Sequence, residues 1–232
     1  MSDYKLEAAK AAFKFIKAEQ TIGLGAGTTV FHLVDMIRQD HDLAQSVVLV
    51  SSSFKTNAYL QQHGLHVKSS AMVKHLDIYF DGCDQFDQEL SALKSGGGIH
   101  TSEKVLASMA SEFILMGDEG KRVTRLDTTY PMVIEILPQA LQIVLDRVQA
   151  AFPDAAIKLR MSNQKDGAVI SENGNLLADV QFATLPNWQQ LNTQVKMIPG
   201  IVEHSLFYQM ATKAVIAGEN GIQIINPNYI TA

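Results

Sequence analysis

Short apolar runs alternate with amphipathic segments in the first half of the chain, and each run ends in small or polar residues. The runs at residues 21–25, 47–50 and 76–80 are followed by segments whose apolar side chains recur at helical spacing. Strands that alternate with helices form parallel βαβ units. The pattern therefore predicts an α/β fold with a Rossmann-like parallel sheet, which binds ligands beyond the carboxyl ends of its strands.

Two amphipathic segments of this half are predicted as helices in more detail. Apolar side chains at helical spacing predict a helix over residues 3–18. A second helix is predicted over residues 102–112, with Thr101 or Ser102 as its cap. A buried strand is predicted directly after it, at residues 113–116.

The pattern changes near Asp127. The dipeptides Tyr130-Pro131 and Leu137-Pro138 bracket a predicted strand, and a predicted helix follows. Asn173-Gly174 predicts a hairpin turn between further strands. We therefore predict a smaller α+β lobe at residues 128–204, inserted into an α/β domain made of residues 1–127 and 205–232. The parallel pattern is expected to resume with the final strands, at residues 213–217 and 222–225.

Composition excludes several classes of function. The net charge of −5, with scattered lysines and arginines, gives no basic surface for nucleic acid. Cys83 is the only cysteine, so no internal disulfide is expected, and the seven histidines lack metal-ligand spacing. The amino-terminal segment lacks the layout of a signal peptide, and no apolar run is long enough to span a bilayer. We expect a cytoplasmic protein without a metal.

Acids and a lysine cluster after the apolar run at residues 76–80. Asp81 and Asp84 follow the predicted strand, Lys94 precedes a glycine-rich loop, and Glu103 falls in the first turn of a predicted helix. Glycines bring backbone N–H groups close to a ligand. The stretch predicts proton-transfer chemistry on an anionic small molecule. Cys83 is interpreted as a packing residue rather than a nucleophile, since no histidine lies near it in sequence.

A second candidate site is the turn Gly25-Ala26-Gly27-Thr28-Thr29, between a strand and a helix. Such a turn at a helix amino terminus binds a phosphate-sized anion. The turn matches neither a dinucleotide fingerprint nor a Walker loop. We expect a phosphate monoester, with Lys5 and Lys121 as further candidate ligands; Lys5 in a first helical turn is otherwise a solvated lysine that opposes the helix dipole.

These groups together match the needs of aldose–ketose isomerisation of a sugar phosphate. That reaction needs an anion site, a carboxylate to take a proton from carbon, and stabilisation of a developing oxyanion. Each acid taken alone is also typical of a turn or a helix cap. A non-catalytic phosphosugar sensor and an isomerase of a different aldose phosphate stay open as alternatives.

Several ordered motifs resemble ribose-5-phosphate isomerase of type A over essentially the whole chain. The resemblance rests on residues 22–29, on Asp81-Gly82-Cys83-Asp84, and on Lys94-Ser95-Gly96-Gly97-Gly98 followed by Glu103-Lys104. Residues 118–121, 172–175 and 202–207 are similar to further landmarks of that family.

The resemblance implies interconversion of ribose 5-phosphate and ribulose 5-phosphate without a metal or an organic cofactor. It implies that Glu103 moves a proton between C1 and C2, that Asp81 opens the ring and moves protons between oxygens, and that Asp84 and Lys94 orient the substrate. The implied binding residues are Gly25, Ala26, Gly27, Thr28, Thr29, Gly82, Cys83, Ser95, Gly96, Gly97 and Lys121, together with Lys5. The family is also homo-oligomeric, so a dimer or tetramer is expected, with the lobe contributing to assembly.

The chain departs from the family pattern at several positions. Ala26 stands where a threonine is usual, Gln85 where a glutamate is usual, and Ser95 where a glycine is usual. His100 replaces a small or aliphatic residue, and Gly120 and Ser205 replace a serine and a glycine. The departures favour altered affinity or a different sugar phosphate.

Overall fold

A computed structural model describes residues 3–228 of the chain. Its strands are β1 (Thr21–Leu24), β2 (Val48–Ser51), β3 (Leu76–Asp81), β4 (Gln85–Phe86), β5 (Ala92–Leu93), β6 (Ala110–Asp118), β7 (Met132–Ile136), β8 (Ala156–Leu159), β9 (Leu176–Gln181), β10 (Ile201–His204), β11 (Leu206–Phe207), β12 (Lys213–Gly218) and β13 (Gly221–Ile225). Its α-helices are α1 (Tyr4–Phe13), α2 (Thr28–Gln39), α3 (His41–Ser46), α4 (Phe54–Gln62), α5 (His100–Met109), α6 (Leu141–Ala151) and α7 (Trp188–Lys196).

The main sheet has six strands in the order β13-β12-β6-β3-β1-β2. The pairs among β2, β1, β3, β6 and β12 are parallel, which confirms the predicted α/β class. The last strand is a correction, because β13 is antiparallel to β12. The turn Gly218–Gly221 is a tight hairpin, whereas parallel strands need a connection of a dozen or more residues.

Apolar stripes on the helices pack against this sheet. Val30, Leu33, Val34 and Ile37 of α2 are fully buried, as their spacing predicts, and α1 packs beside α2. The first helix ends at Phe13 instead of continuing to residue 18. Tighter turns follow Phe13, so that the partly buried residues after it still pack against the core without continuing the helix.

The second predicted helix was placed too late. It runs from His100 to Met109, and residues 110–112 already belong to β6, where Ala110 pairs with Leu76. Pairing along β3 therefore overrides the helical spacing of these apolar residues. The predicted cap is also wrong, since Ile99 holds the N-cap position and caps through no side-chain hydrogen bond.

A second sheet of four antiparallel strands has the order β10-β7-β9-β8. It packs with α6 and α7 around a separate apolar core that contains Ile134, Val148 and Leu191. All four strands lie within the segment predicted as an inserted lobe, whose boundaries stay a prediction. The turn at Asn173-Gly174 is present, with Gly174 at φ +79°, but predicted strand 168–170 forms only isolated bridges.

A third, small sheet of strands β11-β5-β4 lies between the two larger ones. Its strands are only two residues long, and their side chains enter both neighbouring cores. No helix of the described residues is long and apolar enough to cross a membrane.

Candidate active site

Loops that follow β1, β3, β5 and β6 meet around a cavity of about 310 Å³. This is the carboxyl-end edge of the main sheet, where a ligand site was predicted. The cavity is lined by Ala26, Gly27, Asp81, Gly82, Cys83, Asp84, Lys94, Gly96, Gly97, Ile99, Glu103 and Lys121.

One buried lysine lies between two carboxylates in this cavity. The Nζ atom of Lys94 is 2.9 Å from Oδ2 of Asp81 and 3.3 Å from Oε1 of Glu103. It also donates a hydrogen bond to the carbonyl of Gly82. The three charged side chains are at most 8% exposed. One positive charge therefore lies between two carboxylates, and water has almost no access to the three side chains.

The Asp81 carboxylate is fixed by three further donors. The hydroxyl of Tyr79 donates to Oδ2 at 2.5 Å, and the backbone N–H groups of Gly82 and Ala26 donate to Oδ1 at 2.7 and 3.2 Å. Gly25 makes this approach possible, because a Cβ atom at that position would lie 2.0 Å from the carboxyl. These hydrogen bonds fix the orientation of the Asp81 carboxyl in the cavity.

Glu103 has a different environment. Burial raises the pKa of Glu103 to about 8; Asp81 adds to the rise and Lys94 opposes it. For Lys94, burial by itself would lower the pKa, but Asp81 and Glu103 outweigh it and the pKa is raised. The lysine therefore stays charged, while the Glu103 carboxyl exchanges its proton near neutral pH, as suits a general base.

The glycine-rich loop is held by the second aspartate and by an arginine of the second sheet's region. Oδ2 of Asp84 accepts hydrogen bonds from the N–H groups of Ser95 at 2.5 Å and Gly96 at 3.1 Å. Arg160 donates to the carbonyls of the same two residues and pairs with Asp179 at 2.7 Å. The loop is therefore fixed from both sides and presents a rigid edge to the cavity.

The opposite end of the cavity is the amino terminus of α2. Gly27 is its N-cap, at φ +98°, and no side chain of the described residues caps this end. Its first N–H groups are therefore available to an anion, which the helix dipole favours. The Nζ atom of Lys121 lies on the cavity wall and donates to the carbonyl of Cys83 at 2.6 Å.

The model of the family ribose 5-phosphate isomerase A (phosphoriboisomerase A) matches residues 48–221. The chain belongs to this family.

Individual relatives agree with this assignment. Ribose-5-phosphate isomerase A of Pyrococcus abyssi is 31% identical, over 97% of this chain and 98% of its own length. The human ribose-5-phosphate isomerase is 32% identical over 94% of this chain and 70% of its own length. A D-ribose-5-phosphate isomerase solved in complex with phospho-erythronic acid is 30% identical, with a TM-score of 0.88 over 96% of this chain and 97% of that one. The comparisons give no support to a sensor or to a different aldose phosphate.

The cavity of this ribose 5-phosphate isomerase A family member contains most of the residues that the sequence nominated. The four predicted catalytic residues, Asp81, Asp84, Lys94 and Glu103, all line it. So do the predicted binding residues Ala26, Gly27, Gly82, Cys83, Gly96, Gly97 and Lys121. Ile99 also lines the cavity and was not nominated, because an apolar residue carries no chemical signal.

Five nominated residues are absent from the cavity lining, although the structure describes all of them. Lys5 is exposed on the first turn of α1, and Thr28 is exposed on α2. Gly25, Thr29 and Ser95 are buried or partly buried behind the lining residues. Ser95 contacts the site through its backbone N–H, which donates to Asp84.

Cys83 lines the cavity as a neutral thiol. Burial raises its pKa to about 12, although Lys121 and Lys94 oppose the rise. A thiol that keeps its proton at neutral pH is a poor nucleophile. The interpretation of Cys83 as a packing residue agrees with this environment.

Three positions that depart from the family pattern, Gln85, Ser95 and Ser205, form hydrogen bonds with residues that are distant in sequence. Gln85 exchanges two hydrogen bonds with Asp127, at 2.8 and 2.9 Å. The hydroxyl of Ser205 accepts from the N–H of Val133 at 2.8 Å, and that of Ser95 donates to the carbonyl just before β7. These departures thus join the catalytic loops to the strand β7 and to the segment that precedes it.

Sequence reasoning missed the polar contacts behind Glu103. Thr101 donates to Glu135, and Lys104 pairs with Glu203 at 2.9 Å. Both acids lie in the second sheet, far from α5 in the sequence, so no local spacing could have linked them. Within the described residues, no group of three or more metal-ligating side chains is placed to hold an ion.

Proposed function

We propose that this chain interconverts ribose 5-phosphate and ribulose 5-phosphate through an enediolate, as its family does. The observation that carries the proposal is the arrangement of the buried Lys94 between Asp81 and Glu103 in the cavity at the carboxyl-end edge of the main sheet. It supplies a carbon base, a cation for the developing oxyanion and a second acid for oxygen protons.

The substrate's phosphate is proposed to bind at the amino terminus of α2, with Lys121 nearby. This end of the cavity offers free N–H groups and a favourable helix dipole. The sugar then extends toward Lys94 and the glycine-rich loop. A solved relative was obtained with phospho-erythronic acid, a phosphorylated sugar acid, which supports a ligand of this kind here.

The proposed reaction begins with opening of the sugar ring and ends with protonation of C1. Asp81 takes the proton of the O1 hydroxyl of the furanose and delivers it to the ring oxygen, while the bond between C1 and the ring oxygen breaks and the ring opens to the aldehyde. Glu103 takes the proton from C2, the electrons form a C1–C2 double bond, and the negative charge develops on O1 beside Lys94. A proton moves from O2 to O1 by way of Asp81. Glu103 then returns its proton to C1, which leaves the ketone at C2.

The chemistry sets limits on the state of each group. Glu103 must be ionised to accept a proton from carbon, and its raised pKa makes it a stronger base once ionised. Lys94 must be charged, which its raised pKa ensures. Asp84 is proposed to orient the substrate indirectly, since it holds the N–H groups of the glycine-rich loop.

Further proposals concern the setting of the enzyme. The reaction belongs to the non-oxidative pentose phosphate pathway, and we propose a cytoplasmic homodimer whose residues 128–204 form a lobe that contributes to assembly. Strongly exposed apolar side chains support an association surface: Met197 lies within the proposed lobe, and Phe54 and Met72 lie outside it. Sedimentation equilibrium of the purified chain tests the oligomeric state.

The test of the activity is a direct assay of ribulose 5-phosphate formed from ribose 5-phosphate. We expect turnover by the wild type and a loss of about 10²–10⁴-fold in Glu103→Gln, the contribution of a positioned general base. Glu219→Gln is the matched control, since Glu219 is an exposed glutamate in the turn after β12. A folded wild type that binds phospho-erythronic acid but produces no ribulose 5-phosphate would contradict the proposal and indicate a sensor.

A further inference from the structure

The helix that carries Glu103 is not held by a cap of its own. Ile99 occupies the N-cap of α5, and no side-chain hydrogen bond of the described residues caps that end. The hydroxyls of Thr101 and Ser102, which local sequence predicts as caps, instead donate to carboxylates outside the helix. The first turn of α5 therefore takes its position from other parts of the fold.

The first attachment is Glu135, a fully buried glutamate of β7. Its Oε2 accepts from Thr101, and its Oε1 accepts from Ser171 at 2.6 Å, from Asn175 at 2.8 Å and from Asn173 at 3.2 Å. Burial alone would raise the pKa of Glu135, but the hydrogen bonds from Ser171, Thr101 and the two asparagines outweigh it and lower the pKa. The carboxylate is therefore charged and its oxygens are directed by four donors.

The second attachment is Glu203 of β10. Its Oε1 pairs with Lys104 at 2.9 Å and its Oε2 pairs with Lys196 at 2.9 Å. Lys104 also donates to the carbonyl of His204, and its side chain is 12% exposed. This ion pair therefore adds a charge-assisted bond close to the first attachment.

The two attachments act on the same face of the helix. Residues 101 and 104 are three apart and so lie side by side on an α-helix, whereas Glu103 is turned about 100° away from Lys104. Glu135 and Glu203 are register partners on the adjacent strands β7 and β10. A rigid pair of strands thus holds the back of α5, while Glu103 reaches the cavity from its other side.

We propose that Glu135 and Glu203 are positioning residues for the reaction, which act through Thr101 and Lys104 to fix the Glu103 carboxylate against the substrate carbon. The inference rests on the proposed role of Glu103 as the base. A displacement of about 1 Å at a catalytic group is enough to lower a rate by about 10²-fold. The second sheet therefore takes part in the chemistry without touching the substrate.

The mildest test is Thr101→Val, which keeps the side-chain shape and removes the hydroxyl that Glu135 holds. We expect kcat to fall by about 10–100-fold with KM changed less than about twofold. Thr101→Ser restores the hydroxyl and is expected to recover most of the lost kcat. Ser108→Ala removes another hydroxyl from the same helix, one that bonds only to the helix carbonyl of Val105, and is expected to leave kcat unchanged.

A second readout is independent of turnover. The titration of the Glu103 carboxyl is followed by carbon-13 NMR of glutamate-labelled protein, and its signal is identified by its loss in Glu103→Gln. In Thr101→Val we expect the pKa to move from its raised value toward that of an exposed glutamate, because a loosened helix admits water to a carboxyl that burial now protects. Thr101→Ser is expected to titrate like the wild type.

The outcomes separate the two proposals. An inactive wild type overturns the isomerase, and the NMR titration still tests the attachment. An active wild type with an inactive Glu103→Gln, but with Thr101→Val unchanged in both kcat and titration, overturns the positioning role alone. A Thr101→Val protein that loses thermal stability yet keeps its kcat also overturns it, since the bond would then serve only the fold.

Discussion

Glu103 and Glu135 are both buried glutamates, yet their pKa values move in opposite directions. Burial raises the pKa of Glu103 to about 8, with Asp81 adding to the rise. The pKa of Glu135 is lowered although burial opposes this, because side-chain donors outweigh the burial. Both side chains are connected to helix α5, since Glu103 belongs to it and Glu135 accepts a hydrogen bond from its residue Thr101. They lie on opposite sides of this helix.

The two carboxyls also differ in their partners. Glu103 shares one lysine with a second carboxylate, so its charge is only partly offset and its proton is easily exchanged. Glu135 receives four hydrogen bonds from uncharged donors and competes with no other carboxylate for them. Burial beside a second carboxylate, which the shared lysine only partly offsets, thus gives an acid that exchanges its proton, whereas dedicated neutral donors give a fixed anion.

The largest change is expected from removing the shared cation with Lys94→Met. The two buried carboxylates would then have no cation between them, so we expect activity to fall by at least about 10³-fold and stability by about 3–5 kcal/mol. Urea unfolding at pH 8 measures the loss, which should be smaller at pH 5, where a carboxyl can take up a proton. Lys10→Met, which breaks an exposed ion pair with Glu7, is the control, with an expected change below about 1 kcal/mol. Equal stabilities of the two variants would show that Lys94 does not offset the two charges.

Removing the fixed anion should come next in size. Glu135→Leu leaves buried donors of Ser171 and Asn175 without an acceptor, and we expect a loss of about 2–4 kcal/mol. Because the lowered pKa of Glu135 lies below its unfolded value, its stabilising contribution is complete above about pH 5 and is lost only as the pH falls through the folded pKa. Unfolding at pH 6 and pH 9 should therefore give the same loss. Glu19→Gln, at an exposed glutamate, is the control; a loss that grows between these pH values would contradict the comparison.

A smaller effect is expected from Glu103→Gln on stability. The folded pKa of about 8 lies above the unfolded value, so folded wild type binds more protons than unfolded chain between about pH 4.5 and pH 8. The stability that this provides is full at low pH and declines as the pH rises through 8. The glutamine variant lacks the decline, and we expect it to exceed the wild type by roughly 1–3 kcal/mol at pH 9. Parallel stability curves for the two proteins would contradict the raised pKa.

The smallest effects come from the rim of the Glu135 cluster. Asn173 is exposed and reaches Oε1 at 3.2 Å, whereas Asn175 is buried and reaches it at 2.8 Å. We expect Asn173→Ala to cost about 0.5 kcal/mol and Asn175→Ala about 1–2 kcal/mol. Thermal unfolding of the pair measures both. A larger loss of stability in Asn173→Ala than in Asn175→Ala would contradict this. It would show that the buried donor contributes less than we expect to the lowered pKa of Glu135.

The four proposed catalytic residues could be predicted because they lie close together in the sequence. Asp81, Asp84, Lys94 and Glu103 fall within one short stretch that also contains the glycine-rich loop, so their proximity needs no knowledge of the fold. The parallel sheet was predictable for the same reason, from the spacing of apolar runs. Prediction was wrong where a two-residue turn reversed β13, since local apolar character does not record strand direction.

The contacts that hold these residues were not predictable. Arg160 reaches the glycine-rich loop from 64 and 65 positions away, and Lys104 meets Glu203 across 99 positions. Thr101 was predicted as a cap because hydroxyl residues near a helix start prefer that role. Its hydroxyl serves a distant carboxylate instead, and only the packed structure brings that acceptor within reach.

The short strand β5 has a consequence for how the chain changes over generations. Ala92 belongs to the core beneath the main sheet, and Leu93 belongs to the core of the second sheet. Neighbouring residues of a strand point to opposite faces, so this one element is seated in both, and Lys94 follows it directly. A substitution that resizes either core moves the lysine unless the other core changes with it. We therefore expect substitutions in the two cores to be coupled, because β5 belongs to both cores and determines the position of Lys94.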